Sequence, residues 1–314
     1  MKILDSAATI GRLPFPALIA ALDDMFRADV TVPRRHFHIL SDTPPDAGSL
    51  LIMPAWQPGR YLGIKHVTIF PGNGERGLQG LHSTYTLFDA RTGVPVALID
   101  GDAITVRRTA AASALAARSL ARADSRRLLI VGAGKVAAAL APAYAAVRDI
   151  AEIDVWNVRA DKAEALAARL RADGFRATAI DDLEAGVRRA DIVTCATLSQ
   201  APLVRRAWLQ PGVHVDLIGG FTPQMRESDD ATFADTSVFV DTREALDKAG
   251  DVLSPIAAGV FAPEGVRATL EDLCRGAHPG REHDDEITVY KAVGTALEDL
   301  AAAILVYEAG EPVA

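Results

Sequence analysis

Residues 132–137 are the part of the sequence best suited to hold a phosphate-containing ligand. They read Gly-Ala-Gly-Lys-Val-Ala and directly follow the apolar run 128–131. Gly132 permits a tight turn, Gly134 lets the backbone approach a pyrophosphate, and the small Ala137 lets a following helix pack close to a sheet. The N-terminus of that helix supplies N–H groups and a partial positive charge for phosphates. The order of strand, glycine turn and helix therefore predicts a dinucleotide site.

The end of the next predicted strand indicates which dinucleotide this turn would bind. NAD sites usually place Asp or Glu there, where it binds a ribose 2′-hydroxyl. Here the strand 153–156 is followed by Asn157 and Arg159, with Lys162 on the next helix. A carboxylate would repel a 2′-phosphate, whereas Asn157 tolerates it and Arg159 can pair with it. The segment favours NADP(H) and leaves NAD(H) open; the alternative is that Arg159 is a solvated surface arginine.

The elements that position this turn alternate between strands and helices. A helix capped by Asp102 or Thr105 is expected to run to about Ala123. After it we expect strands at 128–131, 153–156, 190–195 and 213–218, with helices after Gly134 and over 161–172. Such alternation predicts a parallel sheet covered on both faces, the Rossmann-type doubly wound arrangement of an α/β protein.

The first hundred residues have a different pattern, typical of an α+β domain. A helix is predicted over 14–26, and strands over 31–40, 49–56, 61–70, 82–89 and 94–99. The glycine-rich stretch 71–80 is interpreted as a flexible connector or as backbone that approaches a ligand. After Tyr290 we expect one amphipathic helix that runs to about Ala309 and buries its apolar face on the first domain.

Composition and charge exclude several classes of protein. The chain has 314 residues, enough for two domains, and a net charge of −8 with a pI near 5.4, which argues against a nucleic-acid surface. Cys195 and Cys274 are too few for a disulfide framework, and the seven histidines lack metal-ligand spacing, so no metal site is predicted. Neither a signal pattern nor a bilayer-length apolar run is present in the sequence, so we expect a cytoplasmic protein.

A series of short segments, in order along nearly the whole chain, resembles the ornithine cyclodeaminase/mu-crystallin family. The segments are 53–55 (Met-Pro-Ala), 63–67 (Gly-Ile-Lys-His-Val), 77–79 (Gly-Leu-Gln), 89–93 (Asp-Ala-Arg-Thr-Gly), 106–111 (Val-Arg-Arg-Thr-Ala-Ala), the glycine turn, 196–197 (Ala-Thr), 219–223 (Gly-Gly-Phe-Thr-Pro), 225–227 (Met-Arg-Glu), 291–294 (Lys-Ala-Val-Gly) and 297–300 (Leu-Glu-Asp-Leu). The resemblance implies a discontinuous substrate-binding and dimerisation domain, residues 1–115 and 291–314, around a Rossmann domain, residues 116–290. It also implies a homodimer.

The resemblance assigns roles to individual residues. Lys65 is implied to be the active-site lysine, and Arg108 the clamp for a substrate carboxylate, for which an early helical position would be favourable. Arg35 is the expected second carboxylate ligand, with Arg34 as the alternative. The remaining implied substrate-binding residues are Gly80, Phe221 and Thr222. The implied cofactor-binding residues are Thr109, Gly132, Gly134, Lys135, Val136, Asn157, Arg159, Thr197, Ile218 and Gly219.

Two positions depart from the ornithine cyclodeaminase pattern. Those enzymes carry Asp where this chain has Phe221, and typically Thr where it has Gly80. Because phenylalanine neither accepts a proton nor binds an ammonium by charge, the resemblance favours reduction of a small cyclic imino acid, of the ketimine or pyrroline-2-carboxylate type, by hydride transfer from NAD(P)H. The alternatives are ornithine cyclodeamination, an activity of the alanine dehydrogenase or opine type, and a non-catalytic NADPH-binding protein.

Overall fold

The computed structural model describes residues 1–44 and 46–309. The described chain divides into two compact units. Unit 1 comprises Met1–Arg108 together with the segment that begins at Thr295, and unit 2 comprises Thr109–Gly294. Whether the units bind substrate and dinucleotide, as the sequence suggests, stays a prediction.

Unit 1 is built on a mixed sheet. Its strands are β1 (Lys2–Leu4), β2 (His36–Ser41), β3 (Gly48–Trp56), β4 (Tyr61–Ile69), β5 (Leu81–Asp89) and β6 (Pro95–Asp100). The sheet has the order β1-β6-β5-β4-β3-β2, with β1 parallel to β6 and the other neighbours antiparallel. Its helices are α1 (Ser6–Gly11), α2 (Phe15–Arg27), the first part of α3 (Gly101–Leu120) and α10 (Ala296–Glu308), and Pro71–Arg76 forms a 3₁₀ helix.

The last helix lies in the core of unit 1. It contacts α2 and strands β3 and β4. Every residue from Ala296 to Ile304 is buried, including the adjacent acids Glu298 and Asp299. A helix that is buried all round must satisfy any charge it carries from within the core, so these two acids require partners.

Unit 2 is a parallel sheet with helices between its strands. The strands are β7 (Arg127–Val131), β8 (Glu152–Trp156), β9 (Ala177–Ala179), β10 (Ile192–Cys195), β11 (His214–Leu217), β12 (Ser237–Val240), β13 (Val266–Thr269) and β14 (Thr288–Lys291). The helices after α3 are α4 (Ala137–Ala145), α5 (Ala160–Ala172), α6 (Leu183–Arg189), α7 (Ala245–Lys248), α8 (Gly250–Ala257) and α9 (Leu270–Arg275), with 3₁₀ helices at Arg206–Trp208, Asp230–Phe233 and Pro263–Gly265.

The strand order of unit 2 confirms the predicted Rossmann-type fold. The order is β13-β12-β14-β11-β10-β7-β8-β9. From β7 the chain first adds β8 and β9 on one side and then β10 and β11 on the other, so the direction of growth reverses between β7 and β10. The register aligns Val131, Cys195, Leu217 and Lys291, the last residues of four neighbouring strands. Ligands of such sheets bind outside the carboxyl ends of the strands at this reversal point.

Several predicted boundaries are wrong. The expected strand 31–40 begins only at His36, and Thr31 forms no more than an isolated bridge with Trp56. The cap of α3 is Asp100, whose carboxylate accepts from the Ala103 N–H at 2.7 Å. Thr105 lies inside that helix, where its hydroxyl bonds the Gly101 carbonyl. The stretch 71–80 is not a flexible connector throughout, since it contains the 3₁₀ helix with buried Asn73.

The helix predicted after Tyr290 begins too early. Residues up to Lys291 belong to β14, in the middle of the parallel sheet, and the helix begins at Ala296. A four-residue strand buried on both faces has no alternating pattern, so it cannot be distinguished from a helical turn by periodicity. Throughout the described residues, no helix has both the length and the apolar character needed to cross a bilayer.

Candidate active-site residues and dinucleotide-binding edge

Lys65 and Arg108 meet at one carboxylate in unit 1. Lys65, in the middle of β4, places its Nζ 2.7 Å from Asp299 Oδ2 and 3.3 Å from the Thr105 hydroxyl. Arg108, on α3, donates its Nε–H to Asp299 Oδ1 at 3.0 Å and an Nη1–H to Glu298 Oε2 at 2.6 Å. We call Lys65, Thr105, Arg108, Glu298 and Asp299 the Lys65 cluster. It brings the two predicted catalytic residues together.

The electrostatics of the Lys65 cluster leave its lysine easier to deprotonate than an ordinary lysine. Burial lowers the pKa of Lys65, Asp299 raises it and Arg108 lowers it, so that the pKa is about 8. Burial would raise the pKa of Asp299, but the cations Lys65 and Arg108 outweigh it and hold this pKa below its ordinary value. At neutral pH the pair is therefore an ammonium beside a carboxylate, and the ammonium can release a proton near physiological pH.

Arg108 has the planar guanidinium that suits hydrogen bonding to carboxylates. A guanidinium has five N–H groups in one plane, and the bonds to Asp299 and Glu298 use its Nε–H and one Nη1–H. The sequence-based argument from the helix dipole is wrong, however. Arg108 is the eighth residue of α3, and the dipole acts within the first turn. Its orientation comes instead from the two acids on α10.

The other predicted substrate residues of unit 1 lie outside the Lys65 cluster. Arg35 immediately precedes β2, is half-buried, and is near enough to Lys65 to lower its pKa. Arg34 beside it is exposed. Gly80 accepts a hydrogen bond from the Phe70 N–H, and a Cβ at Gly80 would meet the Phe70 carbonyl oxygen at 3.5 Å, an ordinary contact. Backbone geometry therefore does not require glycine at position 80.

The glycine turn of unit 2 has the shape that a dinucleotide requires. Gly132 has a φ of 117°, a conformation that residues with a side chain rarely adopt, and its N–H bonds the Trp156 carbonyl at 2.8 Å. A Cβ there would lie 2.6 Å from the Ala196 carbonyl oxygen. At Gly134 a Cβ would meet nothing within 4 Å among the described residues, so the backbone is open to a pyrophosphate. Lys135 is exposed, Val136 precedes α4, and Ala137 is fully buried against the sheet.

Asn157 and Arg159 occupy the positions expected to read the ribose. Asn157 follows β8 directly, and its Nδ2 donates to the Arg159 carbonyl at 3.0 Å, which fixes the turn into α5. Arg159 is exposed and is the residue before α5 begins. The ends of β7 and β8 are adjacent in register at Val131 and Trp156, so this turn and the glycine turn lie on the same edge of the sheet.

The remaining predicted residues of unit 2 follow the neighbouring strands. Thr197 comes two residues after β10, and Ile218 and Gly219 come directly after β11. Thr109 is half-buried on α3, Phe221 is 42% exposed, and the Thr222 carbonyl accepts hydrogen bonds from the backbone of Met225 and Gly250.

Three buried acids that were not predicted from the sequence position the candidate residues of unit 1 and unit 2. Glu298 and Asp299 fix the Lys65 cluster, and Glu227 binds the backbone of Thr197 and Gly219. The available signal was the pair of acids inside the otherwise apolar segment 296–306, because a buried carboxylate needs a cation or several donors.

Comparisons with known proteins agree with this architecture. The model of the ornithine cyclodeaminase/mu-crystallin family matches residues 19–312. A Delta(1)-pyrroline-2-carboxylate reductase of Paracoccus denitrificans is 42% identical over 303 residues, covering 95% of this chain and 94% of the relative. The solved structure of Delta(1)-pyrroline-2-carboxylate reductase of Thermococcus litoralis with NADH and L-proline superposes with a TM-score of 0.93, at 30% identity, over 98% of this chain and 97% of that one. An archaeal alanine dehydrogenase dimer with bound NAD gives a TM-score of 0.91 at 29% identity, over 98% and 95%.

Proposed function

The chain belongs to the ornithine cyclodeaminase/mu-crystallin family, and from that premise we propose that it is an NAD(P)H-dependent reductase of a small cyclic imino acid of the pyrroline-2-carboxylate type. The observation that carries the proposal is the Lys65 cluster, in which a buried lysine with a pKa of about 8 shares a carboxylate with a buried arginine. Relatives named as reductases of this imino acid support the choice of substrate.

Three residues of the Lys65 cluster have a role in this reaction. Arg108, with Arg35 as a second cation, binds the carboxylate of the imino acid by charge-assisted hydrogen bonds. Lys65 donates a proton toward the substrate nitrogen or stabilises the charge that develops there. Asp299 keeps Lys65 protonated until that step. The dinucleotide, when bound, supplies the hydride for the C=N carbon.

Phe221 favours imine reduction over deamination of ornithine. Deaminating and cyclising a diamino acid requires a group that holds and deprotonates an ammonium. Phe221 offers an apolar ring instead, which suits a ring carbon of the substrate and leaves a charged δ-amine unpaired. Gly80 and Thr222 are the other residues for which the family resemblance implies a role in substrate binding.

We propose NADP(H) as the preferred dinucleotide, with NAD(H) as a second one. The phosphates would bind at Gly132–Gly134 with Lys135 and Val136, and the 2′-phosphate at Asn157 and Arg159. Among the described residues, Arg159 has no ion pair that would compete with a phosphate. Thr109, Thr197, Ile218 and Gly219 complete the proposed cofactor set. The structural relatives described above were solved with NADH and NAD, so this preference is a property proposed for this chain.

We also propose that the protein is a homodimer joined through unit 1. Strand β2 is at the edge of its sheet and exposes the large apolar side chains of Phe37, Ile39 and Leu40. Such a row of apolar side chains on an edge strand is unusual for an isolated surface. The dimeric alanine dehydrogenase among the structural relatives supports the same arrangement.

The test is a pair of assays on the purified protein. With pyrroline-2-carboxylate, we expect oxidation of NADPH that depends on the imino acid; with L-ornithine and NAD, we expect little ammonia.

Arg108→Lys should lower kcat/KM about 100-fold, because lysine keeps the charge but cannot make two parallel bonds or span Glu298 and Asp299. Arg118→Lys, an exposed position on the same helix, is the matched control and should change nothing.

The possible results separate the alternative functions. Proline and ammonia formed from ornithine at a kcat of about 1 s⁻¹ or above would identify a cyclodeaminase instead. Tight dinucleotide binding without turnover of any imino acid would identify a binding protein. Arg108→Lys with wild-type kcat/KM and an unchanged circular dichroism spectrum would remove the proposed role of Arg108.

A further inference from the structure

Three charged side chains are buried at the carboxyl edge of the unit 2 sheet, and two of them have no role in the site described so far. They are Glu227 in the segment after β11, Asp251 on α8 and Lys291 at the end of β14, all essentially inaccessible to solvent. Lys291 Nζ lies 3.0 Å from Asp251 Oδ2. Asp251 Oδ1 accepts from the backbone N–H groups of Glu227 at 2.7 Å and Ser228 at 3.1 Å. The lysine and the aspartate together fix the backbone from which the Glu227 side chain extends.

The Glu227 carboxylate joins the loops that follow two neighbouring strands. Its Oε1 accepts from the Thr197 N–H at 2.7 Å and the Thr197 hydroxyl at 2.9 Å, and its Oε2 accepts from the Gly219 N–H at 2.7 Å. Thr197 follows β10 and Gly219 follows β11. Because backbone N–H groups can only donate, both oxygens of Glu227 must remain acceptors.

Close packing transmits the position of these loops to the glycine turn. A Cβ on Gly219 would lie 1.8 Å from the Thr197 carbonyl oxygen, and one on Gly132 would lie 3.2 Å from Thr197 Cγ2. A Cβ on Gly220 would lie 2.5 Å from Asp251 Oδ2. With so little free space, a shift of Thr197 or Gly219 must displace its neighbours at the point where the sheet reverses its direction of growth.

We propose that Glu227, fixed by Asp251 and Lys291, is a positioning residue for the dinucleotide, because it sets the backbone of Thr197 and Gly219 at the edge where the cofactor binds. This inference rests on the proposed function, since it takes Thr197 and Gly219 as cofactor-binding residues. Glu227 itself lies beneath these loops and is fully buried. It acts through them and not by touching the reacting atoms.

The same contacts explain why an amide cannot replace this carboxyl group. Burial raises the pKa of Glu227 to about 8, with Lys291 lowering it and Asp251 raising it. A protonated Glu227 can still accept at both oxygens, because the Thr197 hydroxyl can turn to accept its proton. Glutamine, in contrast, presents an NH₂ group to the N–H of either Thr197 or Gly219. Two donors then face each other in a buried space, and one loop must move.

The test measures dinucleotide affinity separately from turnover. For Glu227→Gln we expect the Kd of NADPH, measured by titration calorimetry, to rise about tenfold, because small displacements of positioning groups are costly. Asp251→Asn should raise it about threefold, because its amide would face the Lys291 ammonium. Glu227→Asp, which keeps both acceptor oxygens, should recover part of the affinity. Asp216→Asn is the matched control: it removes a buried carboxylate of the same sheet that bonds Tyr144 and Thr194, and should leave the Kd within about twofold.

The outcomes distinguish this inference from the proposed function. A wild-type protein that binds neither NADPH nor NADH would overturn the proposed function and this inference with it. A wild type that binds, together with a folded Glu227→Gln protein of equal affinity and only a lower Tm, would show a purely structural role and overturn the inference alone. If Glu227→Gln does not fold, Asp251→Asn takes its place, and an unchanged Kd in that variant overturns the inference.

Discussion

At the scale of single residues, the reactivity of Lys65 depends on how far Asp299 compensates for lost hydration. Burial alone favours the neutral amine, and a carboxylate 2.7 Å away favours the ammonium. Burial, together with the nearby cations Arg108 and Arg35, outweighs the carboxylate and leaves the pKa of Lys65 at about 8, below its ordinary value. A proton donor with such a pKa remains largely protonated at neutral pH and yet releases its proton without a large barrier.

Removing the charge of Asp299 should therefore move the pH profile. If Lys65 must be protonated for reduction, kcat/KM of the wild type falls as pH rises through about 8. In Asp299→Asn the effect that raises the pKa of Lys65 is lost, so the fall should occur at lower pH. The measurement is kcat/KM for pyrroline-2-carboxylate across the pH range from well below to well above this pKa.

The neighbouring acid provides the control for this shift. Glu298 lies on the same helix and pairs with Arg108 at 2.6 Å, whereas the carboxylate that raises the pKa of Lys65 is that of Asp299. Glu298→Gln should raise KM by loosening Arg108, but should leave the fall near pH 8. If the pH profile of kcat/KM for Asp299→Asn coincides with that of the wild type, the fall at high pH reports the titration of a group other than Lys65.

At the scale of elements, the sequence predicts regular elements well and short buried ones poorly. Helix α2 and strands β3 to β6 lie within one or two residues of the predicted ranges, because each has a clear period or a flanking turn signal. Strands β12, β13 and β14 have four residues each, and their neighbours in space decide their structure. The error at Lys291, which was predicted as helical and lies in β14, has this origin.

The same limit applies to the candidate functional residues. Lys65 and Arg108 were found by their resemblance to a family pattern, and the glycine turn by its spacing. Glu227 and Asp299 were missed, although they lie in segments that carry the resemblance, because the importance of a carboxylate depends on what is buried around it. That property arises only when β10, β11 and α8, or β4, α3 and α10, are packed together.

The turn between β8 and α5 is an element whose role can be tested directly. Asn157 fixes this turn through the Arg159 carbonyl, so the Arg159 guanidinium can change without disturbing the backbone. In Arg159→Ala the Kd of NADPH should rise about tenfold or more, because one charge-assisted contact with a 2′-phosphate is lost, and the Kd of NADH should stay the same. Titration calorimetry with both dinucleotides measures this difference.

An arginine near the other end of the same helix serves as the control. Arg169 is exposed in the last turn of α5, whereas Arg159 precedes the first turn. Arg169→Ala therefore removes the same positive charge at a distance of more than two helical turns from Arg159. It should leave both affinities unchanged. Equal affinities of the wild type for NADPH and NADH would contradict the proposed preference, whatever the variants do.

At the scale of the whole molecule, most buried charges in the described residues are compensated, but Asp216 is not paired directly with a cation. Lys65 and Arg108 lie against Glu298 and Asp299, and Lys291 lies against Asp251. Asp216, fully buried on β11, instead accepts from the Tyr144 hydroxyl at 2.8 Å and the Thr194 hydroxyl at 2.6 Å. Burial raises the pKa of Asp216 to about 6, although these hydroxyls lower it.

This raised pKa makes Asp216 a source of instability at neutral and alkaline pH. The folded protein binds a proton at Asp216 below about pH 6, while the unfolded chain binds it only near the ordinary value of 3.8. The contribution of this group to the free energy of unfolding therefore increases as pH falls from about 6 to 4. A pKa raised from 3.8 to about 6 corresponds to about 3 kcal/mol between the two protonation states.

Replacing Asp216 with asparagine should consequently stabilise the protein most where the carboxyl group is ionised. Both hydroxyls donate to one carboxylate oxygen, Oδ2, so the amide oxygen of the introduced asparagine can accept both bonds without rearrangement of Tyr144 or Thr194. We expect Asp216→Asn to have a higher Tm than the wild type at about pH 8 and a smaller advantage at about pH 5, where the wild-type carboxyl group is largely protonated. Comparing the two proteins at each pH cancels the titration of every other group that they share. A Tm difference that is the same at both pH values would show that Asp216 keeps an ordinary pKa in the folded protein, and that its hydroxyl partners compensate for burial by themselves.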